Sequence, residues 1–158
     1  MEKEIAEVFL EFFDIYNKHF ESFADFLAVK QNKILLDDLN WLEEALQEEQ
    51  KYIMKGNSLE EKRLALFERA GLGEITLKQL MEMFPEELKG HIRLEADRLE
   101  KSVGTIKRLT ETSDSIVRRK LEIQAKLLGV NDYTGIGAYD QNADEAKGKI
   151  GSDDIGSV

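Results

Sequence analysis

The chain has 158 residues, 42% of them hydrophobic and 34% charged, and Lys+Arg 22 against Asp+Glu 32 gives a net charge of −10. That balance fits one soluble domain, with or without a tail, and it repels a nucleic-acid backbone or an anionic lipid surface. Cysteine is absent and proline occurs once, which excludes disulfides, thiolate catalysis and Cys-ligated zinc and favours long helices.

The longest apolar runs, residues 26–29 and 64–67, have four residues and are too short to span a bilayer. The opening Met1-Glu2-Lys3-Glu4 provides no apolar core for a secretory signal, so the expected location is cytoplasmic. The first helical stretch runs from about residue 2 to 36. Ile5, Phe9, Phe12, Tyr16, Phe23 and Phe26 form a seam with steps of 4, 3, 4, 7 and 3, beside a second stripe of Leu10, Phe13, Phe20 and Leu27. An apolar face that wide needs at least two neighbouring helices to cover it.

Asp37-Asp38 then permits either a tight turn with an Asp cap or an uninterrupted helix. The second stretch, 39–70, puts Leu39, Leu42, Leu46 and Ile53 on one face, and Gly56-Asn57-Ser58 within it is compatible with a kink or a turn. Gly71-Leu72-Gly73 marks a helix end. Thr76 with Gln79 reads as a capping box that starts a short helix at 77–84, and Pro85 opens the last long helix, 85–128. In that helix Ile92, Leu99 and Ile106 are spaced by seven, as are Leu109, Ile116 and Ile123, with a polar stretch at 110–115. Gly129 ends it. Beyond, five glycines and six acidic residues against Lys147 and Lys149 make a segment unable to bury a core of its own.

The expected fold is therefore all-α: an elongated antiparallel bundle of three to four long helices over residues 1–130, followed by an acidic Gly-rich tail, 131–158. Catalytic and metal constellations do not emerge. Glu87, His91 and Glu95 share one helix face, yet Leu88 occupies the acidic position that a di-iron bundle motif requires. His19 continues the first seam and reads as a boundary residue. Neither Gly71-Leu72-Gly73 nor Gly135-Ile136-Gly137 has the strand and lysine of a phosphate loop, and helix-surface carboxylates lack a cleft to shift their pKa values. The expectation is a non-enzyme without cofactor.

Lys30, Asp37-Asp38-Leu39, Glu49-Gln50, Glu60-x-x-Arg63 and Gly71, followed by Leu77-x-x-Leu80, Phe84-Pro85 and an acidic Gly-rich tail with an isolated Tyr139, occur in that order. This order resembles the FlgN family of flagellar export chaperones over roughly residues 23–139. It differs at Gly56-Asn57-Ser58, where the family has uninterrupted helix. The resemblance implies a cytosolic protein that binds hook-associated proteins (FlgK/FlgL type), prevents their premature polymerisation and delivers them to the type III export gate. It places cargo binding in the C-terminal region, here Ile116, Val117, Leu121, Ile123, Leu127 and Leu128, which carry more apolar surface than one side of a bundle helix needs. It assigns to Tyr139 the contact with the export gate protein FlhA. The alternative is a non-catalytic coiled-coil adaptor or dimerisation module without export function.

Overall fold

The computed structural model describes residues 1–129. Four α-helices follow one another: α1 (Lys3–Leu35), α2 (Leu39–Arg69), α3 (Leu77–Met83) and, after a single 3-10 turn at Glu86–Leu88, α4 (Lys89–Leu127). The fold is an all-α bundle of three long helices and one short one. The chain divides into two units, the first Met1–Thr112 and the second beginning at Ser113. The division falls inside α4, within the polar stretch 110–115, rather than at the helix end near residue 130.

Helix boundaries follow from local chemistry. Asp37 takes φ +54 and breaks the chain between α1 and α2, and the Asp38 carboxylate caps α2 by accepting the Trp41 backbone N–H at 3.2 Å. The two Asp residues thus make a tight turn. At the far end of α2 the Gly71 N–H bonds the Glu68 carbonyl and the Leu72 N–H bonds the Phe67 carbonyl, with Gly71 at φ +71. This six-to-one closure requires a left-handed residue, which glycine supplies without a Cβ clash. Thr76 and Gln79 form a reciprocal capping box on α3. After Pro85 the first turn is 3-10, so α4 begins at Lys89 rather than at the proline.

Through Gly56-Asn57-Ser58, α2 runs without a break. Gly56 lies on the α1-facing side, where a Cβ would come within 3.3 Å of His19 Nε2. Close approach of the two helices, not a turn, explains the glycine.

α2 is antiparallel to α1: Phe9 meets Phe67, Tyr16 donates to Glu60, Ser22 bonds Tyr52 and Lys30 pairs with Glu49 at 2.9 Å. α4 starts parallel to α1, because Lys3 pairs with Glu87 and Asn17 bonds Glu95. The core of the first unit collects Ala6, Phe9, Phe13 and Tyr16 from α1, Leu59 and Phe67 from α2, Leu80 and Phe84, and Ile92 and Leu99 from α4. Phe9 and Phe67 meet edge to face at 5.3 Å, a geometry that aligns the ring quadrupoles favourably.

One polar cluster joins α1 to α4. The fully buried Asn17 donates from Nδ2 to both the Glu95 backbone carbonyl, at 2.9 Å, and its carboxylate, at 2.7 Å. Arg98 bonds that same carboxylate, Asp14 at 2.9 Å and Glu21. Hydrogen bonds from Lys18 and then Arg98 hold the Asp14 carboxyl below its ordinary pKa, and Asp14 and Glu21 raise that of Arg98.

The side of α2 that faces α1 differs from the stripe most apolar in sequence. The buried positions are Ala45, Leu59, Arg63 and Phe67, whereas Leu39 is 73% and Leu46 60% exposed, with Ile53 exposed beside them. The polar seam residues are satisfied in place. Arg63 donates from Nε to Glu60 at 3.0 Å and its guanidinium lies 5.3 Å from the Phe67 ring. Burial pushes the Glu60 carboxyl up, but the Arg63 guanidinium and the Tyr16 hydroxyl outweigh it and leave the pKa lowered.

Phe9→Ala should lower the unfolding free energy by about 3–5 kcal/mol through cavity formation. Leu46→Ala, at an exposed position, should cost less than about 1 kcal/mol. Urea titrations followed by helical circular dichroism distinguish the two. Comparable losses would mean that Leu46 is part of a packed surface.

Candidate functional site

α4 continues through its polar stretch, where the Thr112 hydroxyl turns back along the helix and donates to the Arg108 carbonyl at 2.8 Å. Such back-bonding satisfies a polar side chain without breaking the helix. The helix ends at Leu127, with Gly129 at φ +70.

In the second unit the expected cargo residues divide by exposure. Ile116 and Leu121 are half-buried. Val117 and Ile123 are exposed, and Leu127 and Leu128 are 82% and 78% exposed. Helical spacing arranges them in two lines, Ile116–Ile123–Leu127 and Val117–Leu121–Leu128, with Lys120 and Gln124 between. The surface is thus a pair of apolar stripes, not one continuous patch. Ala125, on another side of the helix, is buried. Arg118, Arg119, Lys120 and Lys126 against Asp114 and Glu122 make this part of α4 basic within an acidic chain. Tyr139 lies outside the described residues.

A second feature lies on the α1–α2 hairpin and was not apparent from the first seam. Ile15, Lys18, His19, Ser22, Tyr52 and Lys55 line a cavity of about 220 Å³. His19 is buried rather than at a boundary, packed against Phe20, Phe23 and Tyr52. Ser22 Oγ and Tyr52 OH lie 3.0 Å apart at the rim. The sequence signal for this side was the spacing Val8, Ile15, Ser22, Val29, an apolar line of sevens with one polar member.

His91 is exposed, and its two neighbours on the face are engaged elsewhere, Glu87 with Lys3 and Glu95 with Asn17 and Arg98. Among the described residues no group of three or more His, Cys, Asp or Glu side chains is placed to hold a metal ion. Among them, too, no helix is long and apolar enough to cross a membrane. No protein-family model, curated protein or solved structure matches the chain.

Burial lowers the His19 pKa from its ordinary value of 6.5, Lys55 pushes in the same direction, and a hydrogen bond with the Tyr52 backbone opposes them. The unfolded chain therefore binds a proton on His19 at higher pH than the folded chain. Stability is full above the unfolded pKa and declines as pH falls below it. Asp14 and Glu60, both with lowered pKa values, add their losses only in the more acidic carboxylate range. The thermal midpoint should drop between about pH 7.5 and about pH 5.5, and His19→Gln should flatten that drop. An identical drop in the variant would assign the dependence to other groups.

Proposed function

We propose that this protein is a cytosolic export chaperone of the FlgN type, which binds hook-associated proteins (FlgK/FlgL type), blocks their premature assembly and hands them to the flagellar export gate through FlhA. The observation that carries the reading is the exposed pair of apolar stripes on α4 beyond Ser113, where Val117, Ile123, Leu127 and Leu128 stand in solvent. A single helix with two exposed apolar stripes offers a seat to an amphipathic helix from a cargo protein. Occupying a helix that the cargo needs for its own assembly blocks polymerisation by competition.

Support also comes from the positions that carry the family resemblance. Lys30 pairs with Glu49 across the hairpin, Asp38 caps α2, Glu60 pairs with Arg63, Gly71 closes α2 and Leu80 is fully buried. The resemblance is thus concentrated in residues that build a hairpin followed by a long helix.

Magnitudes bound the contact. Full burial of an exposed Val, Leu or Ile gains about 1.5–3 kcal/mol, so four partly exposed side chains give on the order of 5 kcal/mol. Micromolar binding needs about 8 kcal/mol beyond the entropic cost of association. A micromolar contact would therefore also draw on Ile116, Leu121 and the segment beyond Gly129, and Tyr139 in that segment is assigned to the export gate.

A second reading, a coiled-coil adaptor that pairs with another copy, is favoured by one observation: Leu39, Leu46 and Ile53 are exposed at intervals of seven along α2. Calorimetric titration against the hook-associated proteins of the same genome separates the two. The full chain should bind 1:1 at micromolar or tighter affinity. Ile123→Asp should weaken binding about tenfold or more by placing a charge in an apolar contact, and truncation after Gly129 should weaken it too. Absence of binding by the full chain, together with a dimer in solution, would select the adaptor.

A further inference from the structure

The α1–α2 hairpin carries a feature that neither the core nor the cargo reading uses. Val8, Ile15 and Val29 are exposed on one line of α1. At an α-helical rise that line extends about 32 Å, the length of a helix of about 21 residues. At the remaining position of seven stands Ser22, and the cavity opens between Ile15 and Ser22, with Lys18 and Lys55 on its walls. The exposed apolar positions Ile15 and Val29 thus flank a small open pocket that carries two lysines on its walls, while the exposed Glu4, Glu11 and Asp25 stand beside the line.

The pocket's charges are not equivalent. Lys18 is paired with Asp14 at 2.7 Å. Lys55 makes no ion pair among the described residues, and its charge is one of the causes that depress the His19 pKa. Burial is the larger cause, so His19 enters as a neutral wall. Of the two hydroxyl protons at Ser22 and Tyr52, their mutual hydrogen bond uses one, leaving one O–H to donate to a guest. One unpaired ammonium and one free hydroxyl suit the two oxygens of a carboxylate. A phosphate dianion calls for more donors, of the kind arginine forks or backbone amide nests provide. Lipid and nucleic-acid surfaces are further disfavoured by the chain's net charge of −10.

We infer that this side of the hairpin is a second docking site, seating an amphipathic partner helix whose apolar residues lie along Val8, Ile15 and Val29 and whose single acidic side chain enters the pocket toward Lys55. The proposal uses none of the cargo residues on α4 and does not depend on that reading. The apolar line gives affinity, and the pocket sets register, because a helix shifted by one repeat of seven, about two turns, brings its carboxylate against Ile15 or Val29 instead of a cation.

The test uses the full chain and a fluorescein-labelled 21-residue amphipathic peptide with leucines at intervals of seven and one central glutamate, against the same peptide with glutamine there. Fluorescence anisotropy should show the glutamate peptide binding about tenfold more tightly, the effect of one charge-assisted contact. Lys55→Gln, checked for unchanged helicity and melting, should erase that preference while keeping the glutamine peptide's affinity. Ile15→Asp should weaken both peptides, and Ile123→Asp neither. Equal binding of the two peptides, a preference that survives Lys55→Gln, loss of binding in Ile123→Asp, or no binding at all would overturn the proposal. Displacement of the glutamate peptide by millimolar inorganic phosphate, but not by acetate, would overturn the carboxylate assignment.

Discussion

A buried amide sets the register of this bundle. Asn17 is fully enclosed on α1, and both N–H groups of its side chain go to one residue of α4, the backbone carbonyl and the carboxylate of Glu95. Moving α4 by one turn would strand these donors and leave the carboxylate facing apolar side chains. Each unsatisfied buried group costs about 1–3 kcal/mol, a large share of the net stability of a small domain. The apolar contacts around it are tolerant of sliding; the amide is not. Its position brings Ile92 and Leu99 to the core, and Arg98 extends the lock to Asp14 and Glu21 at the surface. The Asn17 Oδ1 atom has no partner, a residual cost accepted at the point where α1 and α4 are joined.

Burial changes along α4. Its first part contributes Ile92, Leu99 and Ser102 to buried positions, while its last part carries Val117, Ile123, Leu127 and Leu128 in solvent. The same apolar spacing of seven that makes a core in one unit makes a surface in the other. In the proposed function that exposed surface is the seat of a helical cargo, and the polar stretch 110–115 lies where the two units divide. The basic residues interleaved there distinguish this surface from the acidic remainder of the chain.

Several element boundaries were legible because single residues determine them, although Asp37-Asp38 left a turn and an uninterrupted helix equally open and the last helix begins at Lys89 rather than Pro85. Asp38, Thr76 with Gln79, Gly71 and Gly129 cap or close helices through bonds that few other residues can make. The burial of α2 was not legible. Leu39, Leu46 and Ile53 form the stripe a pattern selects, yet the α1-facing seam uses Ala45, Glu49, Tyr52, Gly56 and Arg63. Those polar residues are tolerated because partners meet them across the seam or alongside: Lys30 for Glu49, Ser22 for Tyr52, Glu60 for Arg63. Complementarity of this kind depends on two segments at once, and a periodicity read along one segment does not contain it. Asn17 escaped notice for the same reason, since a polar residue beside an apolar seam gains meaning only with Glu95 opposite. Of the six residues read as surplus apolar surface on the last part of α4, Val117, Ile123, Leu127 and Leu128 are exposed and Ile116 and Leu121 half-buried.

The most direct test of the central claim, that recognition resides on the last part of α4 and not on the locked core, is hydrogen–deuterium exchange of the full chain with and without a hook-associated protein. The account predicts that peptides covering 113–129 gain protection when the hook-associated protein binds, while those covering 6–20 and 90–102 are already slow and change little. Protection confined to the α1–α2 hairpin, with 113–129 unchanged, would contradict it.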